Sequence, residues 1–137
     1  MRTFAIAKAF TREVLDAAGY PKVQIYPGPE LPTQDPNSYV VLSRYGGTGL
    51  DGGEGALDGF NWQARTVGKQ EGYDEAEGVA DALDIGWISH MSGDIGGIWV
   101  VEISRVGGPP AVLMVDNAER HHFVCSYNAS VESALDH

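Results

Sequence analysis

The sequence has one cysteine, few cations and no long apolar run. Cys125 is the only cysteine, which excludes an internal disulfide and is typical of a protein made in a reducing compartment. Lys and Arg number 9 against 19 Asp and Glu, a net charge of -10, so we expect no attraction to nucleic acid or anionic lipid. No apolar run approaches the about 20 residues of a membrane span, and no segment has the pattern of a signal peptide. We expect a soluble protein made in the cytoplasm.

The hydrophobic pattern predicts one α+β domain over residues 1–137. A chain of this length buries about two thirds of its unfolded surface, which supplies a core without metal or disulfides. Apolar residues recur at helical spacing in two segments, and they alternate or cluster as in strands in six. The predicted helices are 3–18 and 72–88, and the predicted strands are 23–26, 38–45, 60–67, 99–104, 111–115 and 119–131. The element order αβββαβββ predicts one or two mainly antiparallel sheets packed against both helices.

The last two predicted strands form a long closing hairpin. Residues 111–115 are all apolar, and Asp116 and Asn117 supply turn chemistry before 119–131. The strand at 38–45 is also apolar on both faces in its centre. Because two helices do not cover all of this apolar surface, and uncovered apolar surface usually marks a partner site, the pattern points to assembly rather than catalysis.

Glycines and the carboxylates of Asp51, Glu54 and Asp58 crowd the segment 46–59. Such a segment loses much backbone entropy when it becomes ordered and has little apolar surface to bury, so we expect a long mobile loop. The segment lacks the Gly-Lys-Ser/Thr ending of a phosphate-binding loop, and its carboxylate spacing matches no EF-hand. We therefore predict neither nucleotide nor calcium binding in this loop.

No residue pattern predicts a catalytic, cofactor or metal site. His121 and His122 are neighbours on a strand, so their side chains point to opposite faces and do not share one ion without distortion. Cys125 shares a strand face with Phe123 and Tyr127, which predicts a buried, inert thiol. All three tryptophans are assigned to the core, with a position at an interface as the alternative. The acidic residues of the second helix are assigned mostly to a solvated face: Asp74, Glu77, Asp81 and Asp84.

Three places in the chain resemble the tail terminator proteins of long-tailed bacteriophages. The first is Leu31-Pro32 with Pro36, ahead of Tyr39-Val40-Val41-Leu42 and Gly46-Gly47. The second is the strand 61–67 that leads into the second helix. The third is the late Gly-Gly-Pro-Pro, followed by a strand, Asp116, Arg120, Tyr127-Asn128 and Val131. Together these places extend over nearly the whole chain.

The resemblance implies a structural virion protein without enzymatic activity, cofactor or metal. Subunits of this family form a sixfold ring at the head-proximal end of the tail tube, closed by contacts between unlike faces and assembled in the host cytoplasm. The ring stops tube polymerisation and allows the head to join. The implied partners are other copies of the chain, the tail tube protein and a head-completion protein, with no membrane, while DNA passes through without specific binding.

We assign two candidate sites on this basis. The candidate assembly interface comprises Tyr45, Leu50, Leu57, Arg65, Val112, Met114, Arg120, His122 and Val124. The candidate loop facing the lumen or the tube comprises Asp51, Glu54 and Asp58, whose charge would disfavour contact with passing DNA. Three alternatives stay open: a neck or head-closure protein, a small hydrolase using Asp51, Glu54 or His121, and a ligand-binding domain with the Gly-rich loop as a lid.

Overall fold

The structure, a computed structural model, describes residues 3–32, 35–44, 57–89, 93–95 and 98–132. Within these residues two helices pack on one six-stranded, mainly antiparallel sheet. The elements are α1 (Thr3–Ala17), β1 (Gln24–Pro27), β2 (Tyr39–Arg44), β3 (Leu57–Val67), α2 (Tyr73–Ile88), β4 (Gly93–Ile95), β5 (Ile98–Val115) and β6 (His121–Glu132). The α+β class and, in outline, the predicted element order are confirmed.

The strand order in the sheet is β1-β2-β3-β6-β5-β4. Among the described strands, only β1 and β2 pair in parallel, and every other neighbouring pair is antiparallel. The last strand in sequence, β6, therefore lies inside the sheet between β3 and β5. The hairpin of β5 and β6 closes at residues 116–120, as the sequence predicts.

Both helices contribute to the core that covers one face of the sheet. Leu15 of α1 and Leu83 and Trp87 of α2 are completely or almost completely buried against sheet residues such as Val40 and Tyr127. Trp87 packs edge-on against Trp62, with ring centroids 4.4 Å apart. The assignment of all three tryptophans to the core is wrong for one of them, because Trp99 is 44% exposed near the start of β5.

Two glycines fix how the helices end and meet. Gly19, with φ of +92°, ends α1, and the N–H groups of Tyr20 and Gly19 donate to the carbonyls of Leu15 and Asp16. This pattern is a Schellman motif, in which glycine takes the left-handed position. In α2, a Cβ at Gly86 would lie 2.6 Å from Cγ1 of Val14, so the close approach of the two helices requires glycine there.

The opposite face of the sheet carries no described helix, and we call it the helix-free face. Its β2 end is covered by Tyr26 of β1 and by Leu31 of the connector between β1 and β2, which pack against Tyr39, Val41 and Val67. The remainder is lined by half-buried side chains of β3 and β6, which are Asn61, Gln63, Arg65, Val124, Ser126 and Asn128. These side chains are mainly amides and hydroxyls, so most of this face is polar without being strongly charged.

Three strand boundaries differ from the predictions. β3 begins at Leu57 and pairs with the end of β6, so the last three residues of the predicted mobile loop 46–59 are part of a strand. β4 lies between the second helix and residue 99, where the sequence predicts no strand. The two strands predicted at 99–104 and 111–115 are one strand, β5, which continues through the glycines and prolines 107–110 with a register shift against β6.

Candidate assembly interface

The end of β5 exposes a run of apolar side chains. Leu113 is 57% exposed and Val115 is 51% exposed, and Val112 and Met114 are also exposed. Because successive strand side chains point to opposite faces, exposure of four consecutive residues means that neither face of the strand is covered there. We call residues 112–115 the β5 ribbon. Val112 and Met114, both assigned to the assembly interface from the sequence, lie in it.

The edge of the sheet that includes the β5 ribbon is open in the described part of the chain. β4 pairs only with residues 98–100 of β5, and no described strand continues along the edge toward Val115. The stretch 106–115 contains no charged side chain. It contains Pro109 and Pro110, which lack an N–H donor and are tolerated in a strand because this one lies at an edge.

A cluster of three side chains lies beside the β5 ribbon and comprises Arg65, Met114 and His122. Arg65 Nε donates to His122 Nδ1 at 3.1 Å, and His122 Nε2 lies 2.9 Å from Asp116 Oδ2. The Nη2 atom of Arg65 lies 3.8 Å from the sulfur of Met114. Since Nδ1 accepts a hydrogen bond, the network assigns the proton of a neutral His122 ring to Nε2, which donates to Asp116.

His122 is only 3% exposed. Its part in an interface would therefore be to hold the guanidinium of Arg65, and not to touch a neighbour. Arg65 itself is half-buried on the helix-free face beside Met114. The sequence-predicted residues Arg65, Met114 and His122 thus form one connected group.

Asp116 organises the turn between β5 and β6. Its Oδ1 atom accepts hydrogen bonds from the backbone N–H groups of Ala118 and Arg120, at 2.9 and 3.0 Å. Burial would raise the pKa of the Asp116 carboxyl, but the hydrogen bonds from His122, Arg120 and Ala118 outweigh burial and lower this pKa below its usual value. The predicted turn chemistry of Asp116 is therefore confirmed.

Arg120 joins three separate segments of its own chain. Its Nε donates to the carbonyl of Gly68 at 2.7 Å, and its Nη1 and Nη2 donate to the carbonyls of Asp35 and Asn37, each at 2.6 Å. The guanidinium also lies 5.1 Å from the ring centroid of Tyr39, a cation–π arrangement. This geometry gives Arg120 a structural role within the chain, and a contact with a neighbouring subunit stays a prediction.

Val124 lies next to Arg65 on the helix-free face. It pairs with Arg65 of β3 and with Ala111 of β5, and it is half-buried. The next rows of this face pair Gln63 with Ser126 and Asn61 with Asn128. Val124 therefore stands between the apolar β5 ribbon and a polar surface.

Several sequence-predicted site residues lie outside the described residues or have undescribed side chains. Tyr45, Leu50, Asp51 and Glu54 lie outside the described residues. Leu57 and Asp58 belong to β3, where they pair with Glu132 and Val131, and only their backbone is described. Their assignments to an interface or a lumen-facing loop stay predictions.

Asp84 is buried in the core, which corrects its assignment to a solvated face. Arg105 of β5 donates to both carboxylate oxygens of Asp84, at 3.1 Å from Nε and 2.6 Å from Nη2. The Tyr127 hydroxyl of β6 donates to Asp84 Oδ1 at 2.8 Å. Burial, followed by hydrogen bonds to Cys125 and Asp84, raises the pKa of Tyr127, so its hydroxyl remains a donor. The cluster ties α2 to two strands.

The exposed end of α2 carries two apolar side chains that sequence reasoning did not single out. Ile85 is 62% exposed and Ile88 is 41% exposed. Both lie off the buried stripe of α2, which includes Ala76, Val79, Ala80, Leu83 and Trp87. The sequence pattern could have predicted this exposure. Positions 85 and 88 lie four and seven residues after exposed Asp81, on the same side of the helix as Asp81 and away from the buried stripe.

Nothing in the described residues assembles a reactive or metal-binding site. Cys125 is buried, as predicted, and burial raises the pKa of its thiol, which makes it a poor nucleophile at neutral pH. The ring of His121 lies 5.0 Å from the ring of Tyr73 at the start of α2. In the described ranges, no three His, Cys, Asp or Glu side chains are grouped so that they could hold a metal ion.

Comparisons with known proteins identify solved structures of similar fold. No protein-family model and no curated protein matches the chain. A chain from the virion of a native gene transfer agent particle has the same fold, with a TM-score of 0.70 and 16% identity over 96% of this chain and 97% of that chain. A second solved structure, whose description names no function, gives a TM-score of 0.60 at 20% identity, with 97% of each chain covered. At these identities the likeness shows a shared fold. Among the described helices, none is long and apolar enough to cross a membrane.

Proposed function

We propose that this chain is a structural subunit of a phage-like virion and that it acts as a tail terminator. In this role it forms a ring at the head-proximal end of the tail tube, stops tube polymerisation and allows the head to join. The observation that carries the proposal is the fold shared, over nearly the full length of both chains, with a component of a gene transfer agent virion. The resemblance of the sequence to tail terminators points to the same class.

The exposed surface of the chain suits assembly. The β5 ribbon presents four apolar side chains next to an open sheet edge, and such exposed patches commonly mark protein–protein contacts. The partners in this proposal are other copies of the chain, the tail tube protein and a head-completion protein. Catalysis and a cofactor have no part in it.

The charge of the chain fits a ring through which DNA passes. Each subunit carries a net charge of -10, so six subunits would carry about 60 excess negative charges, which disfavours binding of phosphates to the ring. Asp51, Glu54 and Asp58 stay our candidates for the part that faces the lumen or the tube. The amide and hydroxyl side chains of the helix-free face would also offer DNA no cationic surface apart from Arg65.

Electron microscopy of the protein mixed with purified tail tubes tests the proposal. We expect a cap at one end of each tube and no further growth when free tube protein is added. Leu113→Asp, which places a charge in the β5 ribbon, should reduce capping, whereas Gln70→Asp adds the same charge at an exposed turn and should not. Wild-type protein that never associates with tubes would refute a terminator role.

The same experiment separates the nearest alternative. A neck or head-closure protein has a ring of the same kind but binds on the portal side of the joint. Association with purified, DNA-filled heads in the absence of tails, together with no capping of tubes, would assign the chain to the neck.

A further inference from the structure

We propose that the β5 ribbon of one copy docks against the C-terminal end of α2 of a second copy, so that the ring closes through two unlike apolar patches. This inference rests on the proposed ring and names the surfaces that form it. We call Ile85 and Ile88 the α2 patch. They lie three residues apart on a helix, so their side chains stand next to each other on one exposed face.

The two patches lie well apart on the molecule. Tyr73, the first residue of α2, packs against His121 and Phe123 beside the β5–β6 turn, with ring centroids 5.0 and 5.5 Å apart. From there α2 extends for 16 residues, and at about 1.5 Å per residue its end lies roughly 20 Å from the turn. The contacts of Asp84 with Arg105 and Tyr127 show that the helix runs away from the β5 ribbon along the sheet.

Two different patches that lie well apart favour head-to-tail contacts. A symmetric dimer through the β5 ribbon would leave both α2 patches exposed to water. A head-to-tail contact covers one ribbon and one α2 patch at each interface, and repetition of such a contact gives a closed ring when the rotation between copies is correct.

Charge also favours a second copy as the occupant of the ribbon. Copies with a net charge of -10 repel one another, so contact is favoured where the surface is uncharged or where opposite charges meet. The stretch 106–115 has no charged side chain. Arg65 lies beside Met114 in the ribbon, and Asp81 lies exposed one helical turn before Ile85. The border of the ribbon also includes the partly exposed carboxylate of Asp116, which is held by His122, so Arg65 is the cation there that the Asp81 carboxylate of a second copy would face.

The edge of β5 is suited to side-chain contacts more than to an added strand. Pro109 and Pro110 are consecutive and lack N–H donors, and because neighbouring N–H groups of a strand point to opposite sides, one of the two missing donors would have faced the exposed edge. This gap interrupts a hydrogen-bonded ladder that a strand of another chain would form there. A helix end that offers two isoleucine side chains needs no such ladder.

Cysteine cross-linking tests which surfaces meet. Leu113→Cys and Ile85→Cys replace exposed side chains, and native Cys125 is buried, so a short bismaleimide reagent should react only at the new thiols. At high protein concentration and on tail tubes, we expect cross-linked dimers when the two variants are mixed, and none from either variant alone. The double variant Leu113→Cys/Ile85→Cys should give a series of cross-linked oligomers, the largest of which has the number of subunits of the complete ring. Gln24→Cys on β1, mixed with Ile85→Cys, is the control and should give no product.

The outcomes separate this inference from the proposed function. A dimer from Leu113→Cys alone would show ribbon against ribbon and overturn the head-to-tail contact. No product from the mixture, in solution or on tubes, would also overturn it. Microscopy of the same samples scores tube capping independently, so capped tubes without the expected cross-link would leave the terminator role in place and reject only these surfaces.

Discussion

Replacement of Asp84 by alanine should cost more stability than any replacement of an exposed carboxylate on the same helix. Asp84 accepts two hydrogen bonds from Arg105 and one from Tyr127, and its side chain is 8% exposed. In Asp84→Ala the Tyr127 hydroxyl stays buried without this acceptor, while Arg105, which is 30% exposed, turns toward water.

The size of the effect follows from these contacts. A buried hydroxyl left without a partner costs about 1–3 kcal/mol, and the loss of a charged acceptor from the core adds to that cost. We expect the free energy of unfolding to fall by about 3 kcal/mol, which lowers the midpoint of thermal unfolding by about 10 °C in a chain of this length. Tyr127→Phe removes only the donor and should cost about 1 kcal/mol.

Urea unfolding followed by circular dichroism measures these differences. The matched control is Asp81→Ala, because Asp81 is exposed on the same helix and its loss should change stability by less than about 0.5 kcal/mol. In the double variant Asp84→Ala/Tyr127→Phe the two losses of stability should not add, since both substitutions remove the hydrogen bond between Tyr127 and Asp84. A loss below about 1 kcal/mol for Asp84→Ala would refute the view that this cluster stabilises the packing of α2 on the sheet.

Two further predictions concern the helix contact and the turn. Gly86→Ala should destabilise the protein by about 1 kcal/mol, because the new Cβ would lie 2.6 Å from Val14 Cγ1. In a Val14→Ala background the same substitution should be neutral or stabilising. An equal loss of stability in both backgrounds would contradict this account. Asp116 has a lowered pKa in the folded state, so its carboxylate stabilises the fold above about pH 4 and this contribution disappears as the pH falls through the folded-state pKa. In urea titrations, the difference in unfolding free energy between wild type and Asp116→Asn should therefore become smaller in acid. An equal difference at neutral and acid pH would contradict a stabilising role of the Asp116 carboxylate.

The helical pattern predicted where α2 lies but not what it buries. The predicted segment 72–88 agrees with Tyr73–Ile88 because the apolar spacing is regular. Asp84 was placed on the outside because it is charged, yet it lies four residues after Ala80 and three before Trp87, inside the buried stripe. The partner that makes its burial possible, Arg105, is distant in sequence, and no local pattern reveals that pair.

Local sequence also misplaced the middle of β5. Gly107, Gly108, Pro109 and Pro110 are strong turn signals, and they predict an interruption. The strand continues because β6 supplies a partner on one side through a register shift, while the edge position removes the need for N–H donors on the other. Of the candidate site, the sequence predicts the apolar run 112–115, whereas the grouping of Arg65 with His122 depends on the pairing of β3 with β6.

The position of β6 inside the sheet has a consequence for how the chain is made. In the described sheet, β3 and β5 have no direct pairing and are joined only through β6, which follows both of them in the sequence. Until then the nascent chain presents two unpaired strand edges and a helix, α2, whose buried stripe lacks part of its sheet. The same strand carries the residues that pair with Arg65 and Asp84. Folding to the native sheet therefore waits until β6 has been synthesised, which delays completion of the structure beneath the β5 ribbon until after the strands that flank β6 have emerged.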